Sequence, residues 1–261
     1  MENHQRVVQL ALSFDAVVFG GYVRDVLICE QKTFGDIDIL WYNTIRGSLD
    51  SFLTVLFCEP WVKSHQIREC KNSQYGLNRY LLKVCLNAEL HIDIVVYEGT
   101  YTAWLNERDC DFSCNLFYKT RTNNLAIKFV PECFRYTPDP FTHIRDLTKE
   151  KKFVSIGDKF SDTFWFRMSR RALGLVKKGW IMQGNLMDHH KKNALSGSTR
   201  RSIARTIRII DKIMNEEALE VIAPKLTDVC KDKIRRKLFN SDSESDVESV
   251  NSCPGLIEDP E

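Results

Sequence analysis

Apolar and polar positions change their period several times along the chain. Residues 5–13 (QRVVQLALS) repeat apolar positions at helical spacing and predict a helix. Residues 15–19 (DAVVF) form a short β-branched run closed by Gly20-Gly21, the signature of a strand ending in a turn. Residues 22–29 (YVRDVLIC) return to helical spacing, with Val23, Val26 and Leu27 on one face. Residues 37–42 (IDILWY) alternate strictly, with Ile37, Ile39 and Trp41 on one side and Asp38 and Leu40 on the other. Residues 48–57 predict an amphipathic helix. Residues 79–86 and 90–97 predict two strands joined as a hairpin at Asn87-Ala88-Glu89. Residues 112–118 and 124–130 predict a second strand pair.

Beyond Pro131 the pattern becomes helical. Pro138 and Pro140 bracket an irregular link. Residues 160–180 predict a helix with Phe164, Met168, Leu175 and Val176 as its apolar face, and residues 190–200 a loop. Residues 202–222 carry apolar positions at Ile203, Ile207, Ile210, Met214, Ala218 and Val221, a strongly amphipathic helix. A short last helix is expected over 225–238. Residues 240–261 are too polar to fold. The chain therefore predicts an α+β fold. Its parts are a head over residues 1–135 with a mixed or antiparallel sheet flanked by helices, a small all-helical module over 136–239, and a disordered tail over 240–261.

Charge sharpens that division. The whole chain of 261 residues has a formal charge of +2. Residues 1–140 hold 14 basic and 17 acidic groups, residues 141–240 hold 23 and 11, and residues 241–261 hold 7 acids and no base. The basic module reads either as solvated helix faces or as a surface that holds a polyanion. Its clusters include Arg167/Arg170/Arg171, Lys191/Lys192 and Arg200/Arg201/Arg205/Arg208. No aromatic RNA-recognition motif accompanies them. Apolar runs fall well short of the ~20 residues that span a bilayer, so no membrane partner is expected. The N-terminal stretch lacks the layout of a secretory signal. The 9 cysteines are scattered without CxxC spacing. They read as reduced thiols of an intracellular protein, cytoplasmic or nuclear, and not as a disulfide frame or zinc site.

The candidate chemistry lies in Phe19-Gly20-Gly21-Tyr22-Val23-Arg24-Asp25 followed by Gly35-Asp36-Ile37-Asp38-Ile39. Gly20-Gly21 at a strand-to-helix turn exposes backbone N–H groups beside the positive end of a helix, a ready phosphate cradle. Arg24 lies one turn into that helix, where it can reach a phosphate oxygen or brace a carboxylate. Asp36 and Asp38 share a strand face and repel each other unless a cation lies between them. Mg²⁺ suits such oxygen ligands. Asp93, a polar residue in an otherwise apolar strand, has the alternation to be a third ligand. Each feature alone is commonly structural: a turn, two solvated strand acids, an exposed aspartate. Their order along the chain gives them weight together.

Those residues resemble the head-domain signature of the class II CCA-adding tRNA nucleotidyltransferases and bacterial-type poly(A) polymerases, within the DNA polymerase β-like nucleotidyltransferase superfamily. The likeness rests on Gly20-Gly21-Tyr22-Val23-Arg24-Asp25 and Asp36-Ile37-Asp38-Ile39. His91-Ile92-Asp93-Ile94 falls where that family keeps its third carboxylate, usually a glutamate. Asp111-Phe112-Ser113-Cys114-Asn115-Leu116-Phe117 resembles its DFTINAL segment, and weaker similarity runs through Arg167–Leu173. Residues 10–180 or so are covered. Two departures stand out. Asp109-Cys110 replace the family's paired arginines, and Thr163-Phe164 stand in place of the Glu-Asp of its base-reading motif.

The resemblance implies an Mg²⁺-dependent transfer of nucleotides from an NTP to an RNA 3′ end. Asp36, Asp38 and Asp93 would be the catalytic and metal-holding acids for two Mg²⁺ ions. Gly20, Gly21 and Arg24 would orient the triphosphate. Asp111 and Asn115 would sit on the ribose, Arg167 or Arg170 would face the base or a phosphate, and Asp25 would brace the helix. Two alternatives remain at this level. One keeps the chemistry with a protein or small molecule as acceptor; the other is a catalytically degenerate RNA-binding protein.

Overall fold

The computed structural model describes residues 2–42, 48–70, 79–106, 110–122, 124–130, 134–156, 162–184 and 197–222. Its centre is a seven-stranded sheet built from β1 (Val17–Phe19), β2 (Asp36–Tyr42), β3 (His65–Cys70), β4 (Arg79–Leu86), β5 (Leu90–Tyr97), β6 (Phe117–Lys119) and β7 (Ala126–Ile127). The spatial order is β3-β4-β5-β2-β1-β6-β7. Every neighbouring pair is antiparallel except β2 and β5, which run parallel.

Alternation in β2 decides which face is buried. Ile37 and Ile39 are wholly buried and Trp41 nearly so, on the face covered by α1 (Asn3–Ser13) and α3 (Leu49–Phe57). Burial of each isoleucine stabilises the fold by roughly 1.5–3 kcal/mol. The opposite face carries Asp36 and Asp38 at the start of the strand and Leu40 beyond them. Leu40 packs with Val17, Tyr97, Tyr118 and Trp104, the last supplied by α4 (Tyr101–Asn106). That face is therefore apolar at one end of β2 and acidic at the other.

The hairpin β4–β5 forms as the alternation predicts, with Leu86 opposite Leu90. Asn87 and Ala88 take positive φ values of 54° and 59°, a conformation Asn accepts more readily than most residues. The Asn87 side chain also fastens the neighbouring loop. Its Oδ1 accepts from Lys63 N at 2.8 Å and its Nδ2 donates to Trp61 O at 3.0 Å. The sequence pattern does not announce β3, because its residues are exposed nearly throughout and bury no periodic stripe.

Several expectations are corrected. The segment after Gly20-Gly21 is not a plain α-helix. A single turn, α2 (Gly20–Tyr22), widens into a π-helical turn over Val23–Ile28, closed by Cys29 N donating to Arg24 O at 3.1 Å. The wider turn buries Arg24 and Asp25 while Val26 and Leu27 are only partly covered. Residues 113–115 form a 3₁₀ turn, so the strand pair shrinks to β6 and β7. Pro140 does not sit in an irregular link. It opens α5 (Pro140–Lys149), whose Asp139 cap accepts from Thr142 N at 3.1 Å, and the missing N–H of proline costs nothing at a first helical position.

The stretch from residue 136 onward is not purely helical. The short strands β8 (Lys152–Val154) and β9 (Ile181–Gln183) pair in parallel, linked through α6 (Asp162–Val176). The last helix among the described residues, α7 (Gly197–Ile222), begins earlier than expected and buries Ile203, Ile207 and Ile210. The helix expected over 225–238 and the tail over 240–261 lie outside the described residues. Residues 1–210 form one compact unit and residues 211–261 a second, whose described part is the end of α7.

Candidate active site

Parallel pairing of β2 and β5 sets Asp38 directly beside Asp93 and Asp36 beside His91. Strands lie about 4.8 Å apart, so neighbouring side chains on one face meet. Asp36, Asp38 and Asp93 each offer a carboxylate oxygen, and these oxygens lie within 4.8 Å of one another. All three residues are partly buried. An all-oxygen, all-anionic donor set of this kind fits a hard divalent cation, and the three can hold a metal ion. Burial, then the charges of Asp36 and Asp93, push the Asp38 carboxyl up to about 7, against the pull of the Gly21 N–H and Arg171. Lys83 Nζ lies 2.9 Å from Asp93 Oδ2 and answers part of the cluster's charge.

The glycine turn closes on these acids from the other side. Phe19, the last residue of β1, is the strand partner of Asp38. Gly20 follows with φ +72°, and a Cβ there would collide with the Asp38 carboxylate, approaching its Cγ to 2.8 Å. Gly20 is thus required twice, by conformation and by space. Gly21 donates its N–H to Asp38 Oδ2 at 3.3 Å. A Cβ on Gly21 would meet nothing nearer than 3.7 Å, so this second glycine is sterically less constrained.

Arg24 is buried and its guanidinium is used inside the protein. Nε and Nη2 donate to the two oxygens of Asp25 at 2.7 and 2.8 Å, and Nη1 donates to Asn115 Oδ1 at 2.7 Å. The Trp180 ring stacks 5.3 Å away. Burial opposes the charge on Arg24, but hydrogen bonding to Asp25 and the surrounding negative charge together more than offset it, so the guanidinium stays ionised. Asn115 Nδ2 in turn donates to Asp111 Oδ1 at 2.8 Å, and Arg171 Nη1 donates to Asp111 Oδ2 at 2.6 Å. A continuous polar chain therefore runs Asp25, Arg24, Asn115, Asp111, Arg171. Cys114 beside it is buried, and desolvation pushes its thiol up to about 12, so it stays protonated.

Asp36, Asp38 and Asp93 are brought together with Gly20 and Gly21; Arg24, Asp111 and Asn115 meet in the adjoining network. Arg167 and Arg170 lie exposed on α6, and Arg171 of that helix joins the network through Asp111. Reading from sequence alone missed Arg171 and Lys83. The first stands in the same arginine run, where helical phase cannot single out one member. The second was legible, since a three-residue hairpin loop at 87–89 forces Lys83 opposite Asp93. Among the described residues no helix is long and apolar enough to cross a membrane.

No family model and no curated protein matches the chain. Solved structures of similar fold include CCA-adding enzymes. The Bacillus stearothermophilus CCA-adding enzyme in complex with CTP is 12% identical, with a TM-score of 0.45 over 82% of this chain and 51% of that one. The Thermotoga maritima CCA-adding enzyme complexed with tRNA(CCA) is 16% identical, with a TM-score of 0.43 over 81% and 43%. A CCA-adding enzyme in its apo form is 16% identical, with a TM-score of 0.43 over 79% and 45%. The chain spans about half the length of these structures.

Proposed function

We propose that this chain is a template-independent, Mg²⁺-dependent nucleotidyltransferase that adds nucleotides from an NTP to an RNA 3′ end, in the manner of a poly(A) polymerase or tRNA nucleotidyltransferase. The observation that carries the reading is the convergence of Asp36, Asp38 and Asp93 within 4.8 Å, beside a glycine turn. The resemblance of Gly20–Asp25, Asp36–Ile39 and Asp111–Phe117 to the family signature agrees with it.

Asp36, Asp38 and Asp93 would hold two Mg²⁺ ions. When bound, such ions neutralise triphosphate charge and lower the pKa of an attacking hydroxyl. The protein's own groups do the rest. The turn at Gly20-Gly21 would present its backbone to a phosphate. Asp93 would accept the proton of the acceptor hydroxyl. Arg24 holds Asn115, and Asn115 holds Asp111, so that a ribose meets a pre-set edge. Arg167 or Arg170, exposed on α6, would face the base or a phosphate. An intracellular, reducing compartment suits the described cysteines, all of them free thiols.

The deciding experiment incubates the purified full chain with each labelled NTP, Mg²⁺ and small RNAs, beside the variant Asp36→Ala/Asp38→Ala. RNA extension by the wild type, abolished in the double variant, is the expected result. Label transferred to protein with none on RNA would move the acceptor to protein. RNA binding without incorporation would make the chain a degenerate relative.

A further inference from the structure

The register of the sheet continues the acid row outward into a basic one. Asp38 is the strand partner of Asp93, Asp93 of Lys83, and Lys83 of Arg68. The row Arg68, Lys83, Asp93, Asp38 thus crosses β3, β4, β5 and β2 on one face, with neighbours about 4.8 Å apart. A second row on the same face runs Gln66, Cys85, His91, Asp36. Arg68, Lys83 and Asp93 of the first row and all four residues of the second line a hollow of about 340 Å³.

Strand order fixes which flank this hollow occupies. Gly20-Gly21 follows β1, on one side of β2. The basic row lies on the other side, across β5, β4 and β3. The three acids stand between them. A triphosphate seated at the glycine turn would therefore have its reacting end at the acids and leave the hollow to a second reactant.

We propose that this hollow, with Arg68 and Lys83 as its cations, is the subsite for the backbone phosphates of the acceptor strand behind its 3′-terminal nucleotide. The assignment rests on the nucleotidyltransferase reading given above. Its physical basis is the placement of charge. Arg68 and Lys83 face each other directly on antiparallel strands, an arrangement that destabilises a sheet. Lys83 is partly answered by Asp93 at 2.9 Å, whereas Arg68 lies exposed on the edge strand. A bridging phosphate removes the repulsion. Among the described residues no Phe, Tyr or Trp lines the hollow, so none of them offers a platform for stacking a base. It suits a grip on backbone, which positions a strand without reading its sequence.

The test uses the full chain and a short 5′-labelled single-stranded RNA. Affinity is followed by fluorescence anisotropy across a salt series, and extension of the same RNA is measured in parallel. The variants are Arg68→Ala, Arg68→Glu and Arg68→Lys, with thermal midpoints confirming that each is folded. Loss of one phosphate contact lowers the slope of log affinity against log salt by about 0.7. The expected result is that decrease for Arg68→Ala, a several-fold rise in KM for RNA in Arg68→Glu with KM for NTP unchanged, and recovery in Arg68→Lys. If the wild type extends RNA while Arg68→Glu keeps both its salt slope and its KM for RNA, the subsite assignment falls and the activity stands. If the wild type binds RNA with an Arg68-dependent slope but extends none, the activity falls and the phosphate subsite stands. If the wild type binds no RNA at low salt, both fall.

Discussion

Asp38 concentrates the chemistry of single residues. It is the strand partner of both Phe19 and Asp93, it accepts from Gly21, and it fills the space a Cβ on Gly20 would need. Its carboxyl titrates about 7 in the folded protein, against an ordinary value near 3.9 in an unfolded chain. The folded state thus binds more protons than the unfolded one between those values, and stability without metal falls as pH rises toward 7. In EDTA the melting temperature should decline between pH 5 and pH 8, and Asp38→Asn should flatten part of that decline. A divalent cation competes with the proton, so Mg²⁺ should raise the melting temperature more at pH 8 than at pH 5. Equal Mg²⁺ effects at both values would argue against a metal at these acids.

The wide turn over Val23–Ile28 is the element that departs most from its sequence pattern. Helical periodicity points Val23, Val26 and Leu27 inward, yet the fold buries Arg24 and Asp25. A five-residue hydrogen-bond spacing rotates the next residues away from the α-helical phase. The ion pair so enclosed is accompanied by a hydrogen bond to Asn115. Such a pair contributes little by existing but is costly to break, because one charge is left buried alone. Arg24→Met should therefore destabilise the protein by about 3–5 kcal/mol in urea unfolding. Arg24→Met/Asp25→Leu should recover much of that loss. A single variant within 1 kcal/mol of wild type would mean that Asp25 reaches water or another partner.

At the scale of the whole molecule, a charge of +2 hides three unlike segments. The last 21 residues carry 7 acids and no base, so their removal takes the chain to +9. Long-range attraction of a polyanion follows that net charge at low salt. Deleting residues 240–261 should strengthen RNA binding in low salt, and the gain should vanish at 1 M, where the screening length is about 3 Å. Unchanged affinity at low salt would remove the tail from any role in RNA binding.

Much of the fold and the acid set was legible in the chain, for a local reason. Alternation over residues 37–42 and 90–97 assigns faces by strand geometry alone, and it put Asp38 away from the core side of its strand before any pairing was known. Gly20-Gly21 between a β-branched run and a helical one likewise marks its own turn. Edge strand β3 was not legible because it buries no stripe, and α5 was hidden because its opening proline resembles a breaker. Sequence by itself determined which residues carry charge and on which face of their own element they lie. Tertiary structure alone decided what those faces meet. Parallel pairing of β2 with β5 brought Asp38 to Asp93, strand order set Arg68 and Lys83 across the acids from the glycine turn, and packing of α6 selected Arg171 for Asp111. Those are contacts between elements far apart along the chain, and local periodicity carries no information about them.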